Sequence, residues 1–173
     1  KPELILKFWL DDVGPARWYA QNSALDATIR ERFLGAWEEA LQGRFALWLT
    51  FPSGALAYCI LLDQLSRNMF RGNAKAFSAD KFALAAAKSS IHQKWDLRID
   101  EPARQFFYLP LMHSENLPDQ DRCVRLIKTR LQLSAGEHLT HAKAHRDVIR
   151  TFGRFPSRNL ALGRTHTTPE RQF

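Results

Sequence analysis

Apolar positions recur along this chain with the period of a helix. Between Ser23 and Gln42, the residues Leu25, Ile29, Phe33, Trp37 and Leu41 fall four apart, one face of an amphipathic helix that Gly43 can end. A second helix is predicted from Ser53 to about Asn68. Its middle, Ala55 to Leu62, is apolar on every side, the mark of a helix buried all round, yet it runs on into Asp63, Gln64, Arg67 and Asn68. Polar groups at the end of a buried helix must find partners. A third helix is predicted over Ala79 to about Lys94, with Ser78 as N-cap and Phe82, Ala86 and Ser89 or Ser90 along one face. Asp100 can cap the next, which Pro110 should kink or split. Pro118 to about Ser134 follows, with Val124, Ile127 and Leu131 inward. Gly136 then separates it from a helix of about Glu137 to Phe152 that Gly153 and Pro156 end. Thr168-Pro169-Glu170 reads as one last helix start. About seven helices with short connections predict an all-α array of antiparallel helix hairpins in one domain, residues 1–173.

Composition supports this. Leu and Ala together number 44 while Val and Ile number 10, so helix formers greatly outnumber β-branched residues. The chain of 173 residues is long enough for one core and too short for two ordinary domains. Cys59 and Cys123 lie inside apolar helical patterns and read as reduced core residues of a cytoplasmic protein. Phe45 to Leu62 carries no charge over 18 positions, but Pro52, Ser53 and Gly54 interrupt it, so two shorter buried segments are expected rather than a membrane span.

Charge is unevenly placed. Residues 1–121 hold 14 basic and 15 acidic side chains, a net of −1; residues 122–173 hold 11 and 3, a net of +8. Nine of those 11 are Arg, the better side chain for bidentate contacts to carboxylate or phosphate. An anionic partner is therefore expected, and it is more readily a small molecule or peptide than a nucleic acid. Lys is scarce in this segment, and no helix-turn-helix, zinc-finger or RNA-recognition pattern is present.

Three groups of residues have candidate chemistry. His138, His141 and His145 share one stripe, but no adjoining Glu completes a metalloprotease pattern, so no metal and no cofactor is expected there. His113 and Glu115 follow a proline and could serve as acid and base. Asp63, Arg67, Asn68 and Arg71, and separately Arg154, Arg158, Asn159 and Arg164, sit at helix ends. Beside Gly153 and Pro156, free backbone amides would add to an anion site. Both groups contain Ser-Arg-Asn, a weak internal echo.

At these residues the chain resembles a bacterial family known as domain of unknown function 924. The matching stretches are Leu61-Leu62-Asp63-Gln64-Leu65-Ser66-Arg67-Asn68, the run from Phe106 to Glu115, and Phe152 to Asn159 with Leu162-Gly163-Arg164, together with Phe8-Trp9 and Thr168-Pro169-Glu170. The resemblance covers nearly the whole chain. It implies a single all-α domain similar to tetratricopeptide-repeat folds and brings no established activity. Ser66 stands where the family tends to have Pro and Ser157 where it tends to have His, so no acid or base role is expected at position 157.

The preferred functional expectation is a polar cleft built from Asp63, Arg67, Asn68, His113, Glu115, His145, Arg154, Arg158 and Asn159 that holds an anionic small molecule or peptide carboxylate. The rival expectations are a hydrolase with Glu115 or His113 as base, with an optional metal at the histidine stripe, and a protein-interaction scaffold.

Overall fold

The computed structural model describes all residues, 1–173. It is all-helical, with no strands. The apolar-all-round segment forms its axis: α3 (Pro52–Cys59) continues without a break through a π-helical stretch, Ile60–Leu65, into α4 (Ser66–Met69). Every residue from Gly54 to Ser66 is buried, which the hydrophobic pattern requires. Around this axis pack α1 (Pro2–Leu6, continuing π-helically over Lys7–Val13), α2 (Ser23–Leu41) and α5 (Asp80–His92). The short α6 (Leu109–Met112) joins α5 to α7 (Leu117–Arg130), and α7 forms a hairpin with α8 (Ala135–Phe152). Two single-turn helices close the chain, α9 (Asn159–Leu162) and α10 (Thr168–Arg171).

Local chemistry explains most boundaries. Asn22 and Asn116 cap α2 and α7 by accepting the Leu25 and Asp119 amides. The Thr167 hydroxyl and Glu170 carboxylate cap each other's amides at α10, a reciprocal capping box. Gly43 and Gly153 end their helices at φ +78° and +74°. The uncharged run Phe45–Leu62 divides into a 3₁₀ turn, Ala46–Thr50, and α3, and no helix is long and apolar enough to cross a membrane. Trp9, Trp18 and Phe106 form an aromatic nucleus, with the Trp18 indole donating to the Trp9 carbonyl at 2.7 Å.

Four expectations need correction. Ser78 does not cap α5; its hydroxyl donates to the Lys75 carbonyl, and α5 begins after Ala79 without a side-chain cap. Phe82 points outward, because the small face Ala83, Ala86, Ala87 and Ser90 is the one that meets α3 closely. The segment after Asp100 is a 3₁₀ turn, Ala103–Phe107, and Pro110 sits in the first turn of α6, where its missing N–H costs nothing. Gly136 lies inside α8 rather than before it.

Gly54 is where α3 passes closest to the preceding turn. A Cβ there would run into the Trp48 carbonyl oxygen and lie 2.6 Å from the Phe51 ring. Ala is the better helix former, yet Gly54→Ala should lower stability by about 1–3 kcal/mol through overpacking. Urea denaturation checks this, and a gain in midpoint contradicts the close approach.

Candidate functional site

The π-helical stretch carries Asp63 into the interior with its side chain only 3% exposed. A buried carboxylate needs partners, and two side chains supply them. Arg67, one turn on, donates to the Asp63 carboxylate at 3.1 Å and to its main-chain carbonyl at 3.0 Å. His113, at the end of α6, places Nδ1 at 2.8 and 3.0 Å from the two Asp63 oxygens. Arg67 then reaches α5, gripping Asp80 with two hydrogen bonds of 2.8 and 3.0 Å.

The segment after α8 closes over this group. Gly153 and Pro156 turn the chain so that Phe155, Arg158 and Arg164 come back against α6. Glu115 anchors the return: it accepts the Phe155 amide at 2.6 Å and both guanidinium ends of Arg164 at 3.0 and 3.1 Å. The free amide expected near Pro156 is thus already filled by the protein's own carboxylate. Arg158 donates to the main-chain carbonyl of His113 at 2.7 Å, and its guanidinium lies over the rings of Phe77 and Phe155, 4.6 and 4.7 Å from their centroids. Its nearest carboxylate oxygen, on Asp80, is 3.8 Å away. Between α5, the end of α6 and α9 lies an open cavity of about 410 Å³, with Phe77, Leu84, Pro110 and Leu162 as apolar wall and charges of both signs in its polar lining, Lys81 and Arg158 beside Asp80 and Glu115, together with His113.

Electrostatics sort these groups. Burial alone would raise the Asp63 carboxyl, but the His113 and Arg67 charges and the His113 hydrogen bond overrule it and hold it below the ordinary carboxylate value. Burial, aided by Arg67, holds His113 below the ordinary imidazole value against the pull of Asp63. The pair is thus an ionised carboxylate and a neutral imidazole, with Nδ1–H donated to Asp63. Burial also lowers His145, whose Nδ1 bonds the His141 carbonyl at 2.7 Å. Burial would raise Glu115, but Arg164 and the Phe155 amide keep it ionised and low. Burial, then the Arg67 charge, lowers Arg158. The Cys59 and Cys123 thiols are free, buried and pushed upward by that burial, Cys123 to about 12.

Of the nine residues read from the sequence as one cleft, Asp63, Arg67, His113, Glu115 and Arg158 come together. His145 lies beside them, its ring centroid 6.5 Å from that of His113. The other three are elsewhere. Asn68 points to the far side of its helix and donates to Asp26, which Arg71 also grips. Arg154 is bound bidentately by Glu170 at 2.8 Å and 2.8 Å. Asn159 is buried, accepting from Arg164 and donating toward Glu170. These are internal pairings: each of the three side chains is already bonded to a carboxylate, Asp26 or Glu170. The histidine stripe stays on α8 with His141 exposed beside Glu137, and no cluster of His, Cys, Asp or Glu is arranged to hold a metal ion. The sequence reading missed Asp80 and Phe77. Asp80, at the start of α5, had only its place in a first helical turn to mark it.

A family model described as a bacterial protein of unknown function, DUF924, matches residues 5–173. The chain belongs to this DUF924 family. A solved structure of a protein of unknown function from Agrobacterium tumefaciens, ATU0120, is 37% identical, with a TM-score of 0.92 over 99% of this chain and 94% of that one. No curated protein matches. The DUF924 fold therefore positions the cavity, and the chemistry has to be read from its side chains.

The sign of the pH dependence follows from the shifts. His113, His138 and His145 lie below the ordinary value of 6.5, so the unfolded chain takes up protons that the folded one refuses. Stability present above pH 6.5 is lost as pH falls below it. Asp26, Asp63 and Glu115 lie below their ordinary values of 3.8 to 4.5, and their contribution is lost in a second stage as pH falls below that range. Urea midpoints measured from pH 8 to pH 3 should fall in these two stages, and His113→Gln should flatten the first. A protein that becomes more stable between pH 6.5 and 5 contradicts the assignment.

Proposed function

We propose that the cavity binds a small molecule carrying an anionic group, a carboxylate above all, and that Arg158 is its anchor. One observation carries this reading. Arg158 is 12% exposed and lines an open cavity, yet its one hydrogen bond goes to a main-chain carbonyl and no carboxylate lies within 3.5 Å. Phe77 and Phe155 lie against the guanidinium, and a single hydrogen bond leaves further N–H donors for a ligand. Its neighbours are spent: Arg67 on Asp63 and Asp80, Arg164 on Glu115. A desolvated cation whose nearest carboxylate oxygen is 3.8 Å away gains from an incoming anion, and Lys81 on the rim adds attraction, while the lining carboxylates Asp80 and Glu115 are held by Arg67 and Arg164. The apolar wall fits a ligand with a hydrophobic body, and the volume lies in the range of small-molecule sites.

The buried, free cysteines favour a reducing, cytoplasmic setting. Paired arginines argue against a nucleic-acid surface, and no observation favours the scaffold reading.

Thermal-shift and calorimetric titrations with benzoate, succinate and phosphate monoesters test the proposal. A saturable rise in melting temperature is expected, equivalent to about 2.7 kcal/mol at a hundredfold excess over Kd. It should be strongest for aryl carboxylates and lost in Arg158→Gln, with circular dichroism confirming that the variant is folded. No shift with any of these at millimolar concentration overturns it.

A further inference from the structure

We propose that this cavity hydrolyses small carboxylic esters that carry a carboxylate, with His113 as general base on the attacking water, Asp63 as its positioning residue and Arg158 holding the substrate's charge. The inference rests on the anion-binding reading above and adds a reaction to it. Its geometry is that of an aspartate-oriented imidazole facing a cavity. The Asp63 carboxylate spans Nδ1 with both oxygens and is itself fixed by Arg67, so ring and tautomer are set from behind. The other ring nitrogen, Nε2, has no partner within the chain, and the ring lines the cavity. Arg158 donates to the carbonyl of His113 itself, so base and anion anchor are held relative to each other through a single residue.

The nucleophile is water. Both serine hydroxyls lining the cavity are already donors elsewhere, Ser78 to the Lys75 carbonyl at 2.8 Å and Ser114 to Asp119 at 2.7 Å. Glu115 cannot be the base, because Arg164 and the Phe155 amide occupy both its oxygens. A lone general base with water suits an ester, whose carbonyl carbon is electrophilic and whose leaving oxygen departs readily. Nε2 takes one proton from water as the water oxygen bonds to the carbonyl carbon and the C=O π pair moves onto oxygen. When the C=O re-forms, the bond to the alcohol oxygen breaks and the Nε2 proton passes to that oxygen. Ester and water become acid and alcohol, and Asp63 stays ionised throughout.

The test uses the full chain with 4-acetoxybenzoate, and with phenyl acetate as the same ester lacking the charge. The charged ester should be favoured in kcat/KM by about tenfold or more, the scale of one charge-assisted hydrogen bond. His113→Gln and Asp63→Asn should lower kcat by about 100-fold or more with KM little changed, whereas Arg158→Gln should act mainly on KM. Should the Asp63 or His113 variants fail to fold, the wild-type pH profile decides. The rate must rise with pH through the titration of an imidazole that faces Asp63, Arg67, Asp80, Arg158 and His145, and it must show a normal solvent deuterium isotope effect. 4-Methoxybenzoate, which cannot hydrolyse, reports binding separately by chemical-shift titration. Binding without turnover, a rate indifferent to His113→Gln, or a profile falling with pH overturns the general base and leaves the anion site standing. Absence of binding overturns both.

Discussion

A carboxylate placed where water cannot reach it constrains everything around it, and Asp63 imposes that constraint here. Its desolvation is costly unless hydrogen-bond donors surround it and a cation is among them, and removing such a partner strands the charge that remains. Arg67 and His113 meet the need from two directions, one from the next turn of the same helix and one from 50 residues further on. Arg67 is then tied to Asp80, so the end of the central helix, the start of α5 and the end of α6 are fixed to a single buried charge. The π-helical stretch aims Asp63 inward, and the Arg67 bond to the Asp63 carbonyl serves a main-chain acceptor there.

The two Ser-Arg-Asn segments divide their work in the same way. Arg67 and Arg158 both turn toward Asp80 and the cavity. Asn68 and Asn159 turn away, each onto a carboxylate that another arginine grips: Asp26 with Arg71, Glu170 with Arg154. Neighbouring residues on one helical turn leave it in different directions, so a single tripeptide can join the cavity to the layer behind it. The two segments differ at the arginine. Arg67 hydrogen-bonds two carboxylates, whereas Arg158 hydrogen-bonds only a carbonyl and has Asp80 at 3.8 Å.

The charge asymmetry of the chain has a structural destination. Acidic side chains of the first 121 residues pair with arginines of the last 52: Asp96 with Arg130, Asp121 with Arg146 and Arg150, Glu115 with Arg164. The C-terminal third is electrostatically docked onto the rest, and its formal excess is not a basic surface in proportion. Exposed pairs such as Arg150–Asp121 contribute little, but the half-buried ones set which elements lie against each other. The candidate site is what this pairing leaves incomplete.

Helix identity, the buried axis, the inward faces of α2 and α7 and the glycine stops were legible along the chain, because period, propensity and caps act over a few residues. The convergence of Asp63, Arg67, His113, Glu115 and Arg158 was also anticipated, since polar groups at a buried helix end have to meet partners. Which guanidinium is left without a hydrogen-bonded carboxylate was not. Arg154, Arg158 and Arg164 look alike in sequence, and Glu170, Glu115 and Asp80 select among them only once α8, α9 and α10 have folded back. The roles of Ser78, Phe82 and Gly136 turned on the same kind of fact, the distance to the neighbouring helix. Local pattern thus determined where the helices are and which residues they must hide. Partner choice among equal charges was decided by tertiary structure, because Coulomb and hydrogen-bond energies depend on separation in space, which sequence spacing beyond a turn or two does not encode.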